Sequence, residues 1–298
     1  MPSSSLFLRS STTLVSALSL LSSALANPIA SNGTQSNYYA LDTEYSGASF
    51  FDGFNFFTDA DPTHGFVTYV DETTAASSGL ISAATGQNAK MSVDAVHTYR
   101  SDVDYSGVNG LGRPSVRIES TKSWTHGLFI ADIKHMPGGI CGTWPAFWTL
   151  GETWPINGEI DIVEGFNDQD TDLTSAHTGQ TCSVTPNTMS GQLMATNCNY
   201  YDLGGNNGVG CNVQSTNTNS YGTGFNANGG GIYAMDWTSD YAKIYFFPNG
   251  QAPVDIGSDH PDPSGWGTPL AVFGGSSCDM DTNFQNHRIV FDTTFCGM

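Results

Sequence analysis

The stretch WPINGEIDIVEGFN, residues 154–167, sets three acidic residues among β-branched ones. β-Branched residues favour strands, and successive side chains of a strand point to opposite faces. Glu159 and Asp161 therefore share one face, whereas simple alternation would place Glu164 on the face of the isoleucines. Because an unpaired buried carboxylate is costly, we predict a β-bulge at residues 162–163 that returns Glu164 to the face of the other two.

Three carboxylates on one surface repel one another, so their proximity needs a chemical reason. Glycoside hydrolysis supplies one, because two carboxyl groups must flank the scissile bond, about 5 Å apart when the configuration is retained. A hard-cation site more often draws its oxygens from a flexible loop, and solvated charges on an edge strand are the remaining alternative. The pattern favours Glu159, Asp161 and Glu164 as catalytic carboxylates, with no metal and no cofactor.

Three tryptophans, Trp144, Trp148 and Trp154, come within a few residues of these acids. Packing in the core is the default interpretation of a single tryptophan. Three of them beside a carboxylate cluster favour platforms for the flat faces of sugar rings.

Short apolar segments separated by turn residues run through the rest of the chain, and helical periodicity is rare. This pattern predicts an all-β protein, a β-sandwich or jelly roll. Residues 181–231 hold three cysteines and many Asn and Gly, and we interpret them as long loops held by disulfides. The predicted strands cover residues 115–119, 127–133, 146–150, 159–164, 232–237, 241–247 and 288–291.

Residues 1–26 have the features of a secretory signal peptide: one cation at Arg9, an apolar stretch, and the small-residue cleavage site Ala24-Leu25-Ala26. The apolar stretch is shorter than the roughly 20 residues that a membrane span needs, which disfavours an anchor. We therefore expect a secreted, extracellular protein. No linker divides residues 27–298, so these should form one domain. We also expect the protein to be a monomer.

The chain is acidic, with 28 Asp and Glu against 9 Lys and Arg. Such a surface repels nucleic acid and anionic membranes, so neither is an expected partner. A neutral polysaccharide fits this charge, although acidity also serves solubility alone.

Six cysteines in an exported chain are expected to pair as disulfides, with 15 possible connectivities. Their spacing lacks the C-x-x-C pairs of zinc sites. Asn32-Gly33-Thr34 is a glycosylation sequon just past the expected cleavage site.

The segment GTWPAFWTLGETWPINGEIDIVEGFN, residues 142–167, resembles the signature of glycoside hydrolase family 16, in its fungal laminarinase-like branch. The E-x-D-x-x-E spacing is that of the bulged active-site strand of this family. Further segments that resemble the family follow its order along the chain, so the resemblance covers nearly all of residues 27–298. They read DPTHGFVTYVD, SVRIES, HGLFIADIKHMPGG, AMDWTSDYAKIYFFPNG and IVFDTTFCG.

The resemblance implies a β-jelly roll with a concave substrate cleft. It assigns Glu159 as the nucleophile and Glu164 as the general acid/base, with Asp161 between them as a helper. It also suggests five substrate-binding residues: Trp148, Trp154, His177, Arg117 and Trp237. For Trp237, packing in the core is an equally good interpretation.

The expected function is that of a secreted, retaining endo-β-glucanase that hydrolyses β-1,3 or mixed β-1,3/1,4 glucans by double displacement. A transglycosylase of cell-wall glucan would use the same residues, and another β-linked polymer such as galactan would differ only in its subsites. A carbohydrate-binding protein without turnover would share the fold and the tryptophans, but it would not need two glutamates aligned with an aspartate.

Overall fold

The computed structural model describes residues 39–100, 112–202 and 209–297, together with the backbone of residues 5–7. The rest of the predicted signal peptide and the sequon at Asn32 lie outside the described residues. Among the helices of the described part, none is long and apolar enough to cross a membrane.

Strands dominate the described chain, and the helices are short. The strands are β1 (Ser5–Phe7), β2 (Phe54–Phe56), β3 (Val67–Tyr69), β4 (Ile81–Ser82), β5 (Ala89–Met91), β6 (Arg113–Ser115), β7 (Ile118–Ser120), β8 (Gly127–His135), β9 (Thr143–Leu150), β10 (Glu159–Glu164), β11 (Leu173–His177), β12 (Gln192–Ala195), β13 (Cys211–Gln214), β14 (Gly231–Trp237), β15 (Tyr241–Pro248), β16 (Ala271–Gly274) and β17 (Arg288–Phe295). The α-helices are α1 (Glu72–Ser77), α2 (Gly222–Ala227) and α3 (Met280–Asn283), and 3₁₀ turns cover Gly47–Gly53 and Pro263–Gly265.

Two large antiparallel sheets form the fold. The β10 sheet has the order β12-β13-β11-β10-β9-β17-β7-β2, and the β8 sheet has the order β16-β15-β14-β8-β1-β5-β4. A parallel pair of β3 and β6 lies beside them. The predicted all-β sandwich is therefore confirmed.

The core lies between the two sheets and is built by alternate residues of each strand. In β10, Ile160 and Ile162 are fully buried and belong to the same cluster as Met235 of β14. Burying an isoleucine stabilises the fold by roughly 1.5–3 kcal/mol, so this face of β10 is fixed toward the core. Glu159 and Asp161 consequently point to the opposite face.

The predicted bulge is present in β10. Asp161 lies opposite Trp148 of β9, and Val163 lies opposite the next residue, Phe147, so Ile162 is the additional residue. Val163 is also buried, which leaves Glu164 on the polar face with Asp161.

Residues 181–231 contain more regular structure than we predicted. Strands β12 and β13 and helix α2 lie within them, and both strands extend the β10 sheet beyond β11. The disulfides Cys182–Cys278 and Cys198–Cys211 confirm that the region is covalently held. The expected pairing does not extend to Cys141 and Cys296, which are free and exposed.

Candidate active site

The polar face of β10 meets a histidine from the neighbouring strand. His177 is the last residue of β11 and lies opposite Glu159 in the register. Its Nε2 is 3.3 Å from Asp161 Oδ2 and 3.8 Å from Glu159 Oε1. On the other side of the ring, Gly210 packs so closely that a Cβ there would lie 2.7 Å from His177 Nδ1. The structure thus brings His177 to the carboxylates, as the resemblance implied.

A different tryptophan acts on each glutamate. Trp144 Nε1 donates a hydrogen bond to Glu164 Oε1 over 2.8 Å. Trp154 lies beside Glu159 and lowers its pKa. An indole N–H can only donate, so the bond from Trp144 favours the ionised form of Glu164 and fixes its orientation.

A second polar group lies on the same face, across β9. Trp148 Nε1 donates to Asp292 Oδ1 over 3.0 Å, and Tyr69 Oη donates to the other oxygen of Asp292 over 2.9 Å. Arg117 stacks over Trp148, with its guanidinium carbon 4.9 Å from the ring centroid, and pairs with Glu119 over 2.8 Å. Arg117 is 5% exposed, so it supports the floor of the site more than it offers a free surface.

Sequence reasoning had missed Asp292 and the role of Trp144. Both could have been found by alternation, because strand β17 buries Phe291 in the core, and Asp292 must then point to the opposite face. Trp144 and Trp148 likewise alternate with the buried Phe147 along β9.

Trp237 lies apart from this group. It is fully buried in β14 of the β8 sheet, where its ring contacts His287 at a centroid distance of 4.8 Å. The geometry places Trp237 in the core and not in the cleft, in line with the default interpretation of a tryptophan between two sheets.

Burial raises the pKa of Glu159, Asp161 and Glu164 to about 8 each. Loss of hydration is the largest cause for all three. The negative charge of Asp161 adds to the shift of both glutamates, and that of Asp292 adds to the shift of Asp161. The four carboxyl groups therefore cannot all ionise at neutral pH, and the cluster retains protons there, as an acid catalyst requires.

The same groups could also hold a cation. Glu159, Asp161 and His177 each bring one donor atom within 4.8 Å of the others. Two carboxylates and one imidazole would suit a transition metal such as zinc better than calcium, which prefers more oxygen ligands.

Comparison with known proteins decides the family. Residues 54–298 match the family described as "XgeA-like, catalytic GH16 domain". The chain belongs to glycoside hydrolase family 16. Membership agrees with the bulged E-x-D-x-x-E strand and with the jelly-roll fold, and the matched residues correspond to the catalytic domain of the family.

Curated relatives of this family 16 chain come from fungi. A probable endo-1,3(4)-beta-glucanase of Aspergillus fumigatus is 45% identical over 288 residues, which cover 96% of this chain and 42% of the relative. An endo-1,3(4)-beta-glucanase of Arthroderma benhamiae is 43% identical over 262 residues, which cover 87% of this chain and 55% of the relative. The chain thus spans about half or less of the length of these relatives.

Two solved structures of the family are similar over most of the fold. Laminarinase 16A from Phanerochaete chrysosporium, with 6-O-glucosyl-laminaritriose in its donor and acceptor sites, is 41% identical with a TM-score of 0.80. The match covers 87% of this chain and 85% of that one. An elongating beta-1,3-glucosyltransferase is 44% identical with a TM-score of 0.80, over 88% of this chain and 84% of the other.

Proposed function

We propose that this family 16 domain is a retaining endo-β-glucanase that hydrolyses β-1,3 or mixed β-1,3/1,4 glucans. One observation carries the proposal: the bulge at Ile162 puts Glu159, Asp161 and Glu164 on one face, where His177 contacts Glu159 and the indole of Trp144 donates to Glu164. The names of the fungal relatives support β-glucan as the substrate.

In the first step, ionised Glu159 attacks the anomeric carbon while Glu164 gives its proton to the leaving glycosidic oxygen. His177 and the indole of Trp154 lie beside Glu159 and favour its charge, whereas the neighbouring Asp161 charge favours the protonated form of Glu164. The products are a glycosyl ester on Glu159 and a shortened glucan with a free hydroxyl group.

In the second step, Glu164 takes a proton from water, and the water oxygen attacks the anomeric carbon of the ester. Ester formation has removed the charge of Glu159, so the pKa of Glu164 falls and Glu164 can act as a base. The bond between Glu159 and the anomeric carbon breaks in this step, which releases Glu159 as a carboxylate and leaves a free hydroxyl group on the anomeric carbon. Asp161, which is 3.3 Å from His177, helps to position Glu159.

A reducing-sugar assay on laminarin, lichenan, cellulose and galactan in parallel tests the substrate class. We expect release of internal fragments from laminarin, from lichenan or from both, and none from cellulose or galactan. Turnover of galactan alone would contradict the assignment to β-glucan.

Glucan transfer is a second candidate, because a 44% identical solved structure is named as an elongating beta-1,3-glucosyltransferase. The two activities differ only in whether water or a sugar hydroxyl accepts the glycosyl group from Glu159. Products of laminari-oligosaccharides separate them: hydrolysis gives only shorter chains, and transfer also gives chains longer than the substrate.

Secretion remains part of the proposal and rests on the leader-like residues 1–26. Expression in a fungal host should yield protein in the medium whose amino terminus is Asn27. Retention of the intact chain inside the cell would contradict it.

A further inference from the structure

An exposed group of aromatic side chains begins at the nucleophile and leads away from it. The aromatic ledge consists of Trp154, Tyr200 and Tyr201. The Trp154 and Tyr200 rings meet edge to face with centroids 4.8 Å apart, and the Tyr200 and Tyr201 centroids are 5.7 Å apart. Trp154 is 42% exposed and Tyr201 is 57% exposed, so the outer part of the ledge faces solvent.

The ledge is anchored to strands β11 and β13 beside the site. Tyr200 N donates to the carbonyl of Thr178 over 2.9 Å, and Thr178 N donates to the carbonyl of Cys198 over 2.9 Å. Thr178 directly follows His177, and the disulfide Cys198–Cys211 closes the segment onto β13. The position of the ledge relative to the catalytic groups is therefore set by backbone hydrogen bonds and a covalent bond.

The direction of the ledge follows from the register. Glu159 lies opposite His177, at the end of β10 where Thr178 leaves the sheet. Glu164 lies at the other end of β10, five residues along the chain. Sugar units bound on the ledge would thus extend from the Glu159 side of the scissile bond.

Exposed aromatics on this acidic chain need a reason, since water contact with three neighbouring rings is unfavourable. Tyrosine and tryptophan offer a flat apolar face and one polar atom, which match the C–H faces and hydroxyl groups of a sugar ring. Packing of the loop would bury the rings, yet Tyr201 keeps more than half of its surface exposed.

We propose that Tyr200 and Tyr201 form a distal sugar-binding subsite, which takes a glucose unit of a β-glucan chain beyond the unit that contacts Trp154. The inference rests on the proposed β-glucanase function and adds a determinant of chain length. Tyr200 and Tyr201 do not touch the reacting atoms, so they act on the affinity for long chains and leave the chemical step unchanged.

The test measures kcat/KM for laminari-oligosaccharides of increasing length in wild type, Tyr200→Ala and Tyr201→Ala. For the longest oligosaccharides we expect kcat/KM of each variant to fall by up to roughly tenfold, mainly through a higher KM, because one good aromatic contact is lost. For the shortest oligosaccharide that is cleaved, kcat/KM should equal that of wild type, because this substrate does not extend past Trp154 to Tyr200 and Tyr201.

Two variants serve as controls. Tyr201→Phe keeps the ring and should retain most of the preference for long chains. Val254→Ala removes a fully exposed apolar side chain elsewhere and should change nothing. An equal loss of kcat/KM at every chain length in Tyr200→Ala and Tyr201→Ala would assign these residues a structural role and overturn the subsite. No loss at any chain length would also overturn it.

Failure of the proposed function gives a different result. If wild type cleaves no laminari-oligosaccharide, calorimetric binding of laminariheptaose to wild type and Tyr201→Ala replaces the kinetic comparison. Weaker binding by Tyr201→Ala then supports the subsite without hydrolysis, and equal or absent binding overturns it.

Discussion

The two glutamates of the site occupy different surroundings, although burial raises the pKa of both to about 8. Glu159 has His177 at 3.8 Å, and Trp154 lowers its pKa. Glu164 ends β10 and accepts from Trp144 over 2.8 Å. His177 lowers the pKa of both glutamates but makes its direct contact with Glu159, which favours Glu159 as the group that ionises first.

Removal of either carboxylate should abolish hydrolysis. We expect kcat to fall by about 10²–10⁴-fold or more in Glu159→Ala and Glu164→Ala, because removal of a general acid–base group usually costs that much. Azide should restore turnover of an activated substrate, with an inverted adduct in Glu159→Ala and a retained adduct in Glu164→Ala. Asp161→Asn should cost less than either. Near-wild-type activity in either alanine variant would refute the assignment.

The indole of Trp144 should tune the acid/base. Its hydrogen bond lowers the pKa of Glu164, so Trp144→Phe should raise that pKa and move the alkaline limb of the kcat/KM profile to higher pH. Trp154→Phe is the matched control: Trp154 lowers the pKa of Glu159, so loss of its indole should move the acidic limb to higher pH. If both limbs shifted equally in both variants, the two tryptophans would not act on different glutamates.

Alternation of buried apolar and outward-facing residues was the most useful sequence signal for locating the strands. Strand β10 has the predicted bounds, Glu159–Glu164, and β14 differs by one residue, because both bury regular apolar positions. Strand β12 was missed because it lies at the edge of the β10 sheet and none of its residues is buried. The contact between Trp144 and Glu164 could not be predicted either, since it depends on how β9 and β10 pair around the bulge.

The bulge itself can be tested by changing its length. Deletion of Val163 gives the spacing E-x-D-x-E, in which a regular strand already places all three acids on one face. The variant should retain measurable activity, reduced by one to several orders of magnitude because bulges also set twist and side-chain direction. The measurement is kcat/KM on laminarin, with circular dichroism to verify folding.

Insertion of one residue beside Val163 is the opposite change. It should turn Glu164 toward the core, and the variant should be inactive or unfolded because a carboxylate is buried. A folded insertion variant as active as wild type would show that the carboxylates do not share one face.

The two free cysteines should form a third disulfide in an oxidising medium. Cys296 N donates to the carbonyl of Gly142, and a Cβ at Gly142 would lie 3.1 Å from Cys296 Sγ. Cys141 directly precedes Gly142, so the two free cysteines are neighbours. We expect mass spectrometry after oxidation by glutathione disulfide to find a Cys141–Cys296 peptide pair, with two thiols of glutathione released for each bond. Two reactive thiols after complete oxidation would contradict this pairing.

At the scale of the whole molecule, the site lowers the stability of the fold as the pH rises. The pKa values of Glu159, Asp161 and Glu164 are about 8 in the fold and about 4 in the unfolded chain. The folded state therefore binds more protons between pH 4 and 8, and the free energy of unfolding falls as the pH rises through this window. Burial lowers the pKa of His287 to about 4. Between pH 4 and its ordinary pKa, His287 therefore has the opposite effect, and its contribution to the free energy of unfolding rises with pH.

This linkage can be measured by thermal unfolding. The melting temperature should decrease from pH 7.5 to pH 8.5, a window in which the effect of His287 is nearly complete and the three carboxyl groups lose their protons. A variant with Glu159→Gln, Asp161→Asn and Glu164→Gln keeps the rest of the acidic surface but lacks the titrating groups, so its melting temperature should fall less steeply. Equal slopes in the two proteins would assign the pH dependence to the formal charge of −19 and not to the buried cluster.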